Sequence, residues 1–384
     1  MRELESAMAL PFDTLTIQRL RGLQDVELAG LGRVNLLVGG NDSGKTSVLE
    51  ALSLYCNPLD PMQWVHVAHG RDPLMSLSDP FSVSEVTRWL FPQHPAPGTH
   101  KLGENPIKLA ATGKISVRSV QASYLGLTGI QSRRVESRRV MRLGVGVGEQ
   151  ELEPAGDRHG ARLQIRIGTR DAESRNYSFT LWDDGEVSPL GGADAAYWRV
   201  PVRLVSPPDH WLGSLSVRSF SELRLSGLEE SVRVLLKAID PRIDGLEVLA
   251  PSGEAVLYVR DTAAGLIPLS MFGDGIRRTL LLALVLPQVK GGVLLIDELE
   301  TAIHVSALGK VFRWMLEACK QHDVQLFATT HSLEVVDAIL GADDTREEDI
   351  VGFRLERGEG RTSARRFGED LLKRMRYERG LDVR

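Results

Sequence analysis

The run Val34-Asn35-Leu36-Leu37-Val38, followed by Gly39-Gly40-Asn41-Asp42-Ser43-Gly44-Lys45-Thr46, constrains this chain more than any other stretch. Five mostly apolar residues read as a buried strand. The next eight fit G-x-x-x-x-G-K-[ST], a loop whose backbone N–H groups turn inward around phosphate. Ser47-Val48-Leu49-Glu50-Ala51-Leu52 then starts a helix whose positive end points at the same anion. The candidates for holding a nucleotide here are Gly39, Asn41, Ser43, Gly44, Lys45, Thr46 and Ser47. Lys45 can reach the β- and γ-phosphates, and the Thr46 hydroxyl can ligate Mg²⁺.

A second acidic element stands far downstream. Val293-Leu294-Leu295-Ile296 ends in Asp297-Glu298, the pattern of a buried parallel strand delivering carboxylates to its C-terminal end. Asp297 is the candidate metal ligand, with Thr46. Glu298 is the candidate for orienting or deprotonating an attacking water. A further strand around residues 324–329 ends in Thr330-His331-Ser332, which puts His331 where it can sense a terminal phosphate. Between these motifs, Ser270-Met271-Phe272-Gly273-Asp274-Gly275 opens another helix and makes Ser270, Gly273 and Gly275 candidates for a second anion contact.

The rest of the chain gives weaker signals. Residues 12–38 read as antiparallel strands, residues 57–106 as proline-punctuated and irregular, and residues 107–200 as alternating strands. The spacing predicts one helix over residues 223–239, an amphipathic helix over 305–319, and a closing hairpin with a short basic helix. His66 and His69, with Asp72, form an H-x-x-H without further ligands and read as surface or packing. Arg133, Arg134, Arg138, Arg139 and Arg142 read first as a solvated face, with a nucleic-acid or partner contact as the alternative. A net charge of -5 argues against coating nucleic acid by overall basicity. The two cysteines, Cys56 and Cys319, make no disulfide framework, and no apolar run approaches a bilayer span, so a cytoplasmic protein is expected.

With these residues in order, the chain resembles an ABC-type ATPase of the SMC/RecF/OLD branch. The opening Ile17-Gln18-Arg19-Leu20-Arg21-Gly22 leads into the phosphate loop as in that branch. The segments DELETAIH and ATTHS are more similar to OLD-like ATPases than to RecF. The resemblance implies an α/β, two-lobed fold with an N-terminal antiparallel part, a mainly parallel core sheet and an inserted β-rich and helical segment. It divides the chain into a split nucleotide-binding domain (1–56 and 265–384) and an inserted lobe (57–264). It also implies Mg²⁺-dependent ATP hydrolysis in a homodimer or higher homo-oligomer, with the 270–275 turn of one subunit meeting ATP held by the other. The sequence departs from the family's LSGGQ-like signature there, with Asp274 between the glycines. The sequence does not place the glutamine that links Mg²⁺ to the second lobe in that branch, and Gln63 is no more than a guess for it. No guanine-reading N-K-x-D follows the acid-tipped strand, which favours ATP over GTP. About 44 residues follow Leu340, too few for a Toprim nuclease domain. The expected output is therefore regulation of a separately encoded effector such as a nuclease, in antiviral defence, or nucleic-acid processing. The alternative is a RecF-like DNA clamp with slow turnover.

Overall fold

The computed structural model describes residues 10–70, 82–93, 105–130, 157–170, 173–188, 199–342, 349–358 and 361–384. In chain order the strands are β1 (Thr14–Leu20), β2 (Leu23–Ala29), β3 (Val34–Gly39), β4 (Ile107–Thr112), β5 (Val117–Ile130), β6 (Asp157–Thr169), β7 (Arg175–Trp182), β8 (Val202–Val205), β9 (Ile243–Leu249), β10 (Val256–Asp261), β11 (Gly265–Pro268), β12 (Val293–Ile296), β13 (Gln325–Thr329), β14 (Ile350–Gly358) and β15 (Arg361–Gly368).

The core sheet has the order β15-β14-β3-β13-β12-β8. Every pairing in it is parallel except β14 with β15. Strands covered on both faces are mostly apolar, and β3, β12 and β13 are buried throughout, with Asn35, Gln325 and Thr329 as buried polar positions that are hydrogen-bonded. Leu37, Leu295 and Phe327 face the antiparallel sheet. Leu36, Val38, Leu294, Ile296 and Leu326 face the opposite way. There they meet helices α6 (Asp274–Val285), α7 (Val305–Gln321) and α8 (Leu333–Leu340). The five remaining helices before α9 (Glu369–Lys373) are α1 (Lys45–Cys56), α2 (Pro61–His69), α3 (Val83–Arg88), α4 (Gly213–Leu225) and α5 (Glu229–Ile239).

The second sheet has the order β2-β1-β4-β5-β6-β7 and is antiparallel. The strands of residues 107–182 therefore extend the N-terminal sheet instead of forming a sheet of their own, while β8 is an edge strand of the core sheet. Both lie inside the 57–264 stretch expected as an inserted lobe. One buried side chain fastens the two sheets. Gln325 accepts the Phe12 N–H at 2.9 Å and donates to the carbonyls of Phe12 (2.8 Å) and Gly32 (2.9 Å). A buried amide with its bonds made is stable, whereas one left unmade is costly.

The small sheet β11-β10-β9 packs with α4, α5 and α6 around its own core of Phe220, Leu236, Val259 and Leu284. The single helix expected over residues 223–239 is two helices here. Gly227 takes φ +72 between them, a left-handed turn that ends α4 and redirects the chain into α5. The basic helix near the C-terminus is likewise split, into α9 and a short π-helical turn, Arg374–Glu378. Among the described residues no helix is long and apolar enough to cross a membrane.

Candidate nucleotide site

The phosphate loop hangs between the end of β3 and the start of α1, in the middle of the core sheet. Gly39 takes φ +141, and a Cβ there would stand nearer than 3.0 Å to the Leu355 carbonyl oxygen of β14. Only glycine fits that approach. Helix α1 has no side-chain cap hydrogen bond and no acid in its first turn, so its N-terminal N–H groups face the loop. Lys45 is buried and donates to the carbonyls of Gly39 (3.0 Å) and Gly40 (2.8 Å). Burial pushes its ammonium below the usual lysine range, opposed by Asp297, Glu300, Asp42 and Glu298.

The acid-tipped strand ends beside it. Thr46 Oγ1 donates to Asp297 Oδ2 at 3.1 Å, and Thr329 Oγ1 donates to Asp297 Oδ1 at 2.6 Å. The same Thr329 oxygen accepts the Glu298 N–H at 2.8 Å. Thr329 thus ties two neighbouring strand ends together and aims both acids. Glu298 has φ +49, a backbone position uncommon outside glycine and asparagine, which turns the chain abruptly after Asp297. Its side chain accepts from Thr301 Oγ1 at 3.1 Å, and the residue is exposed. His331 stands at the end of β13 on the same cleft.

The cleft has a volume of about 560 Å³. Two loops on the antiparallel side complete it: the β1–β2 turn with Arg21, Gly22 and Leu23, and the β14–β15 hairpin with Arg357 and Thr362. Arg21 also pairs with the buried Glu50 of α1 at 2.7 Å, which holds that turn against the phosphate helix. Concave polar sites of this size suit a nucleotide. Among the described residues there is no group of three or more His, Cys, Asp or Glu able to hold a metal alone. The pair Thr46–Asp297 supplies hard oxygen donors and suits Mg²⁺, which takes one or two protein ligands together with substrate phosphates.

Of the sequence candidates, Asn41, Gly44, Lys45, Thr46, Ser47, Asp297, Glu298 and His331 line this cleft; Gly39 and Ser43 belong to the loop but do not line it. Ser270, Gly273 and Gly275 do not line this cleft; Gly273 and Gly275 border a separate hollow with Ile303, His304 and Lys310. Asp274 turns aside to Arg277 (3.2 Å) and the Trp211 indole (3.3 Å). Gln63 is not at the cleft, because its amide donates to Ser53 Oγ at 2.6 Å. Ser206, Pro207 and Pro208, which follow β8, border a recess beside Thr46 and Asp297 instead. His69 bonds the Val65 carbonyl at 2.9 Å, and Asp72 lies outside the described residues, as do Arg133, Arg134, Arg138, Arg139 and Arg142.

Sequence reasoning missed Arg278 of α6. It is fully buried and donates to the carbonyls of Ser206 (2.6 Å) and Asp297 (3.1 Å), so it braces the backbone on both sides of the acid end. Burial pushes its guanidinium down to about 10, which leaves it charged at neutral pH.

The family described as "AAA domain, putative AbiEii toxin, Type IV TA system" matches residues 198–337, from just before β8 into α8. The uncharacterized protein MJECL11 of Methanocaldococcus jannaschii is 34% identical over 115 residues, which is 29% of this chain and 98% of that protein. The chain belongs to one family with MJECL11. A second protein of that organism, MJECL10, shares 40% identity over 43 residues with this chain, 11% of the chain and 20% of its own length. Solved SMC head domains also align with this chain at low identity. One bound to the C-winged helix domain of ScpA has a TM-score of 0.49, 12% identity, and coverage of 96% of this chain and 99% of that one. The SMC head of Thermotoga maritima gives 0.39 and 14%, with coverage of 93% and 98%.

Proposed function

We propose that this protein is a Mg²⁺-dependent ATPase that works as a switch, pairs head to tail around ATP and regulates a separate effector. The observation that carries the reading is the convergence of Lys45, Thr46, Asp297, Glu298 and His331 on one cleft that contains no residue of the 270–275 turn. In this reading Lys45 leaves the Gly39 and Gly40 carbonyls for the β- and γ-phosphates. Thr46 and Asp297 would hold Mg²⁺, which would neutralise phosphate charge. Glu298, exposed and facing the cleft, orients water in line with the γ-phosphorus and takes its proton as the bond to the β–γ bridging oxygen breaks, giving ADP and phosphate. His331 contacts the terminal phosphate. A second copy supplies its Gly273 and Gly275 N–H groups from the start of α6.

The effector is inferred from the resemblance to stand-alone OLD-like ATPases, for which a separately encoded nuclease in phage defence is the first candidate. The toxin–antitoxin wording of the matching family agrees with a two-component system.

The test is the substitution Glu298→Gln, with light scattering after size exclusion in Mg²⁺-ATP. A dimer that accumulates with ATP, and a turnover at least about a hundredfold below wild type, are expected. Lys45→Ala should stay monomeric under the same conditions. The reading fails if Glu298→Gln stays monomeric and wild-type turnover is no faster than that of Lys45→Ala.

A further inference from the structure

His331 is held by its backbone from two sides. Its N–H donates to Oε1 of Glu300 at 2.7 Å, and its carbonyl accepts from Nη1 of Arg384 at 3.1 Å. Neither contact uses the imidazole. Together they pin both peptide planes that flank the His331 Cα. That fixes φ and ψ there, and with them the direction in which the ring leaves the chain toward the cleft.

Glu300 is built into this position. It stands two residues beyond Glu298, with its carboxylate turned inward. Oε2 is buried with no hydrogen-bond partner among the described residues, an arrangement that costs free energy.

Arg384 is brought to the other side by a fastened C-terminal segment. Val383 is buried in the core beneath α8. Arg376 makes a bidentate pair with Asp337 of α8, both bonds 2.7 Å, and the Tyr377 hydroxyl donates to the Asp337 carbonyl at 3.0 Å. Arg376 also holds the Leu381 carbonyl at 2.7 Å. The segment is thus tied to the helix that begins two residues after His331.

We propose that Glu300 and Arg384 are positioning residues for His331, setting its imidazole against the terminal phosphate and coupling the C-terminal segment to turnover. This rests on the reading that His331 works at the bound nucleotide.

The test is steady-state ATP hydrolysis by Glu300→Ala, Glu300→Gln, Arg384→Ala and His331→Ala, and by the double variants of His331→Ala with Glu300→Ala and with Arg384→Ala. Glu300→Ala is expected to lower kcat about tenfold with KM for ATP within about twofold. Glu300→Gln keeps an oxygen for the His331 N–H and should recover to within about threefold of wild type. Arg384→Ala, at an exposed site, should lower kcat about two- to threefold. Added to His331→Ala, neither substitution should reduce kcat further, because their effect passes through that residue. A purely structural role would instead give additive losses. The proposal is overturned by additive losses, by Glu300→Gln as slow as Glu300→Ala, or by Glu300→Ala at the wild-type rate. If Glu300→Ala does not fold, Arg384→Ala alone and with His331→Ala decides by the same criterion. A wild-type rate for His331→Ala overturns both this proposal and the role given to His331, whereas a slow His331→Ala with additive partners overturns this proposal alone.

Discussion

Gly39→Ala separates the geometry of the phosphate loop from its charge. Gly39 has φ +141, a region that costs a side-chain-bearing residue about 1–3 kcal/mol. The new methyl would stand nearer than 3.0 Å to the Leu355 carbonyl oxygen and 3.0 Å from Ser43 Oγ. The first neighbour is backbone of β14, paired in parallel with β3 at that register. It gives way only if the two central strands part, and overpacking of this kind costs about 1–3 kcal/mol more. The expected loss is therefore about 2–6 kcal/mol, a large part of the 5–15 kcal/mol that about measures a whole domain's stability. Gly40→Ala is the matched control. A Cβ at Gly40 meets nothing within 4 Å, so its stability should stay within about 0.5 kcal/mol of wild type. Urea unfolding followed by tryptophan fluorescence reads both, and titration with a fluorescent ATP analogue should show affinity falling at least about tenfold in Gly39→Ala. The reasoning is refuted if Gly39→Ala unfolds within about 1 kcal/mol of wild type, or if Gly40→Ala is equally damaging.

Thr329→Val keeps the β-branched shape of β13 but removes the hydroxyl that bonds Asp297 and the Glu298 N–H. Stability should fall by about 1–3 kcal/mol and turnover by about tenfold; turnover within about twofold of wild type would remove Thr329 from the acid end. Stability should also fall on acidification from about pH 7.5 to 5.5. Burial holds the His66, His210 and His322 imidazoles below the ordinary histidine value of 6.5. The unfolded chain therefore binds more protons than the folded one below that pH, and the penalty grows as pH falls through 6.5. Urea unfolding across this range should show a shallower slope in His210→Asn; an unchanged slope would assign the loss elsewhere.

Much of the site was legible in the sequence because its parts are local patterns at strand ends. β3 with its glycine loop, β12 with Asp297 and Glu298, and β13 with His331 each announce themselves within ten residues. That these strands share one sheet follows from their buried, apolar character. The illegible parts depend on pairing across long stretches of chain. β8 is four residues long, and nothing in VRLV says that it lies against a strand some ninety residues later. Arg278 sits beside Arg277 in a helix and reads as a solvent-facing cation; only the fold puts it under the acid end. Arg21 and Arg357 reach the cleft because two hairpins from opposite ends of the chain border it. The helix break at Gly227 was visible as a glycine but was outweighed by the apolar spacing around it.

The placement of β3 also bears on how the protein is made. Its two neighbours, β13 and β14, begin at residues 325 and 350, while β3 itself is complete at residue 39. At ribosomal rates of about 5–20 residues per second, the phosphate-binding strand waits roughly 15–60 s before either neighbour exists. Throughout that interval six residues that end fully buried have no ladder to join. The nascent chain must keep them soluble by other means: early packing against α1, chaperone cover, or slow collapse. Nucleotide cannot assist, because the acids that complete its site have not yet been synthesised for most of that time.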